Sequence, residues 1–188
     1  AMDLELRREL IDLLVREAYF ERQVTLSSGK VSDFYLDCRP AMFLPRGMFL
    51  VGELMLESVS AAGVGQIGGM AVAAIPLISA IIAAGYRHDL KLRGCFVRKE
   101  TKAHGMQKRI EGAFRPELRT AVLDDAITTG GSTLEALAAL REAGANVTHG
   151  FALVDRNEGG REALAAAGLK YQFLLDANEI RAAARAGK

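Results

Sequence analysis

The tightest constraint on the fold comes from one segment, Ala121-Val122-Leu123-Asp124-Asp125-Ala126-Ile127-Thr128-Thr129-Gly130-Gly131-Ser132-Thr133. Its apolar start, residues 120–123, reads as a buried strand of a parallel sheet, since such strands are covered on both faces and need no polar alternation. The strand runs into two carboxylates and a turn of hydroxyls and glycines. A helical stretch over residues 132–143 follows, stopped by Gly144. Glycines let backbone N–H groups crowd around a phosphate, and a helix N-terminus adds a favourable dipole. Thr and Ser hydroxyls supply further donors. The string lacks the Gly-Lys-Ser/Thr ending of a nucleoside-triphosphate loop and the spacing of a dinucleotide fingerprint. Carboxylates repel phosphate, but they hydrogen-bond ribose hydroxyls and hold Mg²⁺ through water. Asp124 and Asp125 beside such a cradle therefore point to a ribose 5-phosphate with a metal nearby. Taken as residue types alone, the same string also suits a capped strand-to-helix turn.

The rest of the chain alternates in the same way. Apolar spacing predicts a helix over residues 4–18, capped by Asp3 and buried through Leu6, Leu10, Leu13 and Leu14. A second helix is expected over 46–62, buried along Phe49, Leu50, Leu54 and Val59. Residues 66–70, 92–97, 146–154 and 171–175 read as strands, and 77–84, 161–167 and 179–185 as helices, with Pro76 in a first helical turn. Residues 24–39 are turn-rich and then extended, and 98–112 read as a long polar loop. The alternation implies an α/β fold, a mostly parallel sheet flanked by helices, in one domain over residues 1–188. Ligands of such sheets bind beyond the C-terminal strand ends.

Charge narrows the ligand. The 24 basic and 23 acidic side chains leave a net +1, without the basic excess expected of a general nucleic-acid or membrane-surface binder. Any anion site is therefore local. Cys38 and Cys95 lie far apart in no metal or redox motif, which predicts free thiols in a reducing, cytoplasmic setting. No apolar stretch reaches the ~18 residues of a membrane span, and the N-terminal residues carry acids rather than a signal core. His88 and His149 make no metal-ligand spacing.

Two further strand ends carry unusual chemistry. Arg98-Lys99-Glu100-Thr101-Lys102-Ala103-His104-Gly105 collects three basic residues and a histidine. Such a loop can close over a polyanion and neutralise charge as it develops; it also suits a solvated surface. Val154-Asp155-Arg156-Asn157-Glu158-Gly159-Gly160 puts an arginine beside glycines, where its fork can take a carboxylate or merely lead into a helix.

The segment 121–133 resembles the PRPP-binding signature of type I phosphoribosyltransferases. Arg98-Lys99-x-x-Lys102-x-His104-Gly105, with Ile110-Glu111-Gly112 after it, resembles the catalytic loop of the orotate phosphoribosyltransferases in particular. The segment 154–160 is similar to that family's orotate-carboxylate segment. Residues 25–37, with Phe34 and Tyr35, resemble its hood, and 68–76 its pyrophosphate-side loop, with Ala73-Ala74 where more glycine is usual. The resemblance implies a type I phosphoribosyltransferase fold, a mostly parallel twisted sheet flanked by helices, with a small hood from residues 1–40 and the C-terminal part, and a mobile catalytic loop.

It also implies roles. Thr128, Thr129, Gly130, Gly131 and Ser132 would hold the 5′-phosphate of PRPP, with Ala126 and Ile127 in the same binding segment. Asp124 and Asp125 would contact the ribose hydroxyls and Arg98, Lys99, Lys102 and His104 the pyrophosphate, with Lys102 the main transition-state contact. Arg156 would bind the orotate carboxylate, Thr128 would touch the base, and Phe34 and Tyr35 would lie over it. Mg²⁺ would be carried mainly by PRPP, with Asp124 or Asp125 reaching it through water. The loop would be shared across a homodimer. The implied reaction is transfer of ribose 5-phosphate from PRPP to orotate. A purine phosphoribosyltransferase would share the phosphate loop, but the Lys102-x-His104 and Arg156 segments argue against it. A PRPP-sensing regulator would need a DNA-binding module, for which there is neither spare length nor a basic patch.

Overall fold

Apolar spacing and capping decide where the helices lie. In the structure, a computed structural model that describes residues 2–25, 29, 31–99 and 109–187, helix α1 (Leu4–Glu17) buries Leu10, Leu13 and Leu14. The Asp3 carboxylate caps it, accepting from the N–H groups of Glu5 and Leu6 at 2.9 and 3.1 Å. Two small antiparallel pairs follow, β1 (Tyr19–Phe20) with β4 (Tyr35–Leu36) and β2 (Val24–Thr25) with β3 (Val31–Ser32). Helix α2 (Arg39–Met42) leads to α3 (Pro45–Ala61), which buries Leu50, Val51, Leu54, Met55 and Val59. Phe49, expected on that buried line, is instead half-buried. The guanidiniums of Arg46 and Arg87 cover its ring at 5.0 and 5.3 Å, which serves a face that the bundle does not.

The main sheet is built from β5 (Gln66–Met70), β6 (Arg93–Val97), β7 (Ile110–Gly112), β8 (Arg119–Ile127), β9 (Asn146–Asp155) and β10 (Lys170–Asp176), ordered β10-β9-β8-β5-β6-β7. All pairings are parallel except that of β7 with β6. The crossovers are α4 (Ala74–Arg87), α5 (Gly131–Glu142) and α6 (Gly160–Ala166), and α7 (Ala177–Ala186) closes the chain. Two expectations are corrected. The segment 98–112 is not wholly loop, because 110–112 form β7; three residues on a sheet edge are too few to show a period. The strand expected over 120–123 extends through both aspartates to Ile127.

Period-2 alternation puts Ala121 and Leu123 into the core shared with α1, α3, α4 and α7, and Val122 into the smaller core under α5 and α6. Helix α7 returns to the N-terminal region through the Arg7–Glu179 and Arg181–Asp33 ion pairs. From β5 the chain steps one way to β6, and from β8 the other way to β9. The C-terminal ends of β5 and β8 therefore flank a topological switch point, where a crevice opens.

Candidate functional site

The alternation that builds the two cores also separates the aspartates. Asp125 continues the Ala121–Leu123 face into the crevice, whereas Asp124 continues the Val122 face and accepts the Thr133 hydroxyl of α5 at 3.2 Å. Each also accepts the next backbone N–H, from Asp125 at 2.9 Å and from Ala126 at 2.8 Å. Both are 8% exposed. Burial raises the pKa of both; that of Asp125 is pushed up to about 8 by burial first and by the Asp124 charge second. Burial thus favours the protonated forms in the empty site, and hydroxyl donors or a cation arriving there would favour the carboxylates instead.

After β8 the chain turns through residues 128–130 into α5. Gly130, at φ 85°, stands at the N-cap without a side-chain cap, so the first N–H groups of α5 are not covered by a capping side chain. The turn is fixed from the side by α6. Gly160 donates its N–H to the Thr128 carbonyl at 2.9 Å, and a Cβ on Gly160 would lie 2.3 Å from Ile127 Cγ2 and 2.7 Å from Thr128 O. A Cβ on Gly131 would make only an ordinary contact with Thr129 Oγ1, at 3.9 Å, and Thr129, Gly131 and Ser132 are exposed. An anion can therefore approach this loop directly.

Next to it, the Arg156 backbone N–H bonds the Ile127 carbonyl at 2.9 Å, and buried Asp155 secures the turn by accepting Asn157 N–H at 2.7 Å and the Arg161 guanidinium. The Arg156 side chain is only 4% exposed, with Glu158 3.6 Å away and the Phe34 ring 4.7 Å below. Its Nε and Nη2 have no hydrogen-bond partner. A buried guanidinium edge that has an ion-pair partner at 3.6 Å but no hydrogen bond is costly unless a ligand completes it, and the acceptor that fits a fork is a carboxylate.

No family model matches the chain. It is 41% identical over 178 residues to an orotate phosphoribosyltransferase of Bradyrhizobium sp. (strain BTAi1 / ATCC BAA-1182), covering 93% of this chain and 96% of that protein. The chain belongs to the orotate phosphoribosyltransferase family. Crystal structures of the Mycobacterium tuberculosis H37Rv orotate phosphoribosyltransferase superpose with a TM-score of 0.82 at 37% identity for a complex with Fe(III) dicitrate. For a complex with PRPP the values are 0.78 and 33%. Both cover 93% of this chain and 98% of that one. The fold is that of the type I phosphoribosyltransferases.

A cleft of about 530 Å³ brings Asp125, Ala126, Thr128, Arg156 and Tyr35 together. Phe34 and Tyr35 do not share a setting. Tyr35 lines that cleft under the Arg22 guanidinium at 5.3 Å. Phe34 is 9% exposed, stacked on Tyr19 at 5.6 Å with Arg156 and Arg181 against its ring, and faces a neighbouring cleft with Glu158. Arg98 is half-buried and ion-paired to Glu111 at 2.9 Å, while Lys99 is exposed. Lys102 and His104 lie outside the described residues. The sequence reading missed Asp37 and Arg39, which line the cleft from the hood side; their i, i+2 charge pairing was the available signal. Both cysteines are free and buried. Among the described residues no helix is long and apolar enough to cross a membrane.

Proposed function

We propose that the chain transfers the ribose 5-phosphate of PRPP to orotate, giving orotidine 5′-monophosphate and pyrophosphate, in pyrimidine biosynthesis. The observation that carries the substrate is the buried Arg156 edge opening beside the phosphate loop; purines offer it no carboxylate. A bond forms from the orotate ring nitrogen to the anomeric carbon as the bond to diphosphate oxygen breaks. Positive charge builds on the sugar and negative charge on the leaving pyrophosphate. The loop at 128–132 anchors the 5′-phosphate, Asp125 with Asp124 beside it holds the ribose hydroxyls, Asp125 faces the developing cation from the crevice, and Arg156 and Thr128 orient the base. Arg98, Lys99, Lys102 and His104 meet the pyrophosphate. Tyr35 borders the base, with Phe34 supporting Arg156 from below.

Among the described residues no three acidic, histidine or cysteine side chains converge on one point, which suits Mg²⁺ carried by PRPP oxygens with Asp124 or Asp125 reaching it through water. Bound there, the ion would neutralise charge on the leaving group. The same reading makes the enzyme a cytoplasmic homodimer that shares its catalytic loop, with one catalytic domain whose hood comes from residues 1–40 and α7. Pyrophosphate release with orotate, and none with adenine, xanthine or uracil, is the expected result; release with adenine at a comparable rate would move the protein to the purine enzymes.

Two predictions arise from the phosphate side. Gly160→Ala forces a methyl group into Ile127 and the Thr128 carbonyl, an overpacking that costs about 1–3 kcal/mol. Steady-state kinetics should show the KM for PRPP rising by about tenfold, the equivalent of about 1.4 kcal/mol, with the orotate KM much less affected, together with a lower Tm.

The second concerns pH. Asp125 has a folded pKa of about 8 against an ordinary 3.8, so the folded state takes up protons and the empty protein loses stability as pH rises through that window. Asp125→Asn removes the buried charge. Its Tm should therefore exceed that of the wild type at pH 8, and the difference should shrink as pH falls towards 4, while PRPP binding is weakened throughout. A Tm difference independent of pH would show that Asp125 does not ionise in this window.

A further inference from the structure

Arg39 is a cation of the cleft with no role assigned above. Arg39 lies at the start of α2, and its guanidinium is gripped in bidentate fashion by Asp37, Nε to Oδ1 and Nη2 to Oδ2, both at 2.8 Å. The Arg39 backbone N–H bonds the same Oδ1 at 3.1 Å, and the Asp37 backbone N–H bonds the Ala18 carbonyl at 3.0 Å. The pair is thus tied to the end of α1 rather than waving from a surface. Nη1 takes no part in the grip, and the Arg39 side chain remains 48% exposed. A guanidinium fixed on one edge and open on the other is a pre-organised anion donor, because little side-chain entropy remains to be lost on binding.

Its position in the sheet identifies the anion. Across the C-terminal edge, the order β9, β8, β5, β6 places Arg156 first, the phosphate loop and Asp125 second, residues 71–73 third and Arg98-Lys99 fourth. If Asp125 holds the ribose hydroxyls and the loop holds the 5′-phosphate, the anomeric substituent of PRPP projects toward the ends of β5 and β6. Residues 71–73 are Ala-Val-Ala and bring no charge to that side. Arg98 is already paired to Glu111. Arg39 lines the same cleft as Ala73 and Asp125, so it stands over the uncharged loop from the hood side. Its charge is reinforced by the Asp37 carboxylate that grips it.

We propose that Arg39 binds the diphosphate of PRPP across the cleft from residues 71–73, and that Asp37 is the positioning residue that aims it. This assignment rests on the PRPP reading above, and it supplies from the hood the cation that the β5 loop does not. Arg156 answers the orotate carboxylate, so the two arginines divide the substrates between them.

The test measures Mg²⁺-pyrophosphate binding by calorimetry, and the KM values for PRPP and orotate, in Arg39→Gln, Arg39→Lys and Asp37→Asn, with Tm recorded for each. Arg39→Gln should weaken pyrophosphate binding and raise the PRPP KM by about tenfold, as expected for losing one charge-assisted contact, with the orotate KM within about twofold. Arg39→Lys should recover part of the loss, since it keeps the charge without the fork. Asp37→Asn should raise the PRPP KM while kcat holds, a split that general loosening of the hood would not produce. Unchanged pyrophosphate affinity in Arg39→Gln, or an orotate KM that rises most, overturns the assignment. Should the wild type fail to turn over orotate, the substrate reading falls while the pyrophosphate titrations still decide the role of Arg39.

Discussion

Arg156→Ala should raise the KM for orotate by at least about 30-fold, because losing one partner of a buried charge pair costs about 2–5 kcal/mol. PRPP affinity should stay within about twofold, since each factor of ten needs about 1.4 kcal/mol of direct interaction. The size follows from burial. The guanidinium is 4% exposed, so water cannot replace it, and the orotate carboxylate would meet it beside Glu158 and the Phe34 ring. The selectivity follows from position: Arg156 sits beyond β9, one strand away from the phosphate loop. Arg156→Lys should recover only part of the affinity, because a single ammonium cannot match both carboxylate oxygens. The alanine variant should also melt lower, as Glu158 loses its counter-ion in a half-closed site. Equal losses for both substrates would argue against a carboxylate clamp.

The second large effect concerns kcat. Lys102→Ala should lower kcat by about 10²–10³, the usual cost of removing a contact made only in the transition state, and weaken PRPP binding far less. The pyrophosphate gains negative charge only as its bond to the anomeric carbon breaks. A lysine that answers that charge therefore contributes little to the ground state. Lys102 and His104 fall outside the described residues, so this expectation rests on the Arg98-Lys99-x-x-Lys102-x-His104 pattern and the family to which the chain belongs. An unchanged kcat would remove Lys102 from the chemistry. A rise in PRPP KM at constant kcat would make it a ground-state ligand instead.

The elements that position the site were legible where periodicity runs long enough. Residues 66–70 read as a strand and are one, and the strands and helices from 119 onward depart from their expected bounds by a few residues. The two-residue strands of the hood were not legible, because a pair such as Val24–Thr25 has no period of its own and forms only when Val31–Ser32 is brought opposite. Edge strand β7 escaped for the same reason. At the site, Arg156 was legible because its turn is rich in glycine and charge, but its partnership with Phe34 joins residues 122 positions apart in sequence and needs the folded hood. The different settings of Asp124 and Asp125 followed only once β8 was seen to extend through both, which sets them on alternate faces. Arg39 carried only its charge spacing from Asp37 as a signal; its place facing Ala73 across the cleft comes from the fold.

The most direct test is the ultraviolet absorbance of orotate mixed with the protein, PRPP and Mg²⁺, with EDTA and adenine as controls. Absorbance should fall only when PRPP and metal are both present, and adenine should not be consumed. Folded protein that binds PRPP yet leaves orotate untouched would contradict the substrate assignment and leave only the PRPP site standing.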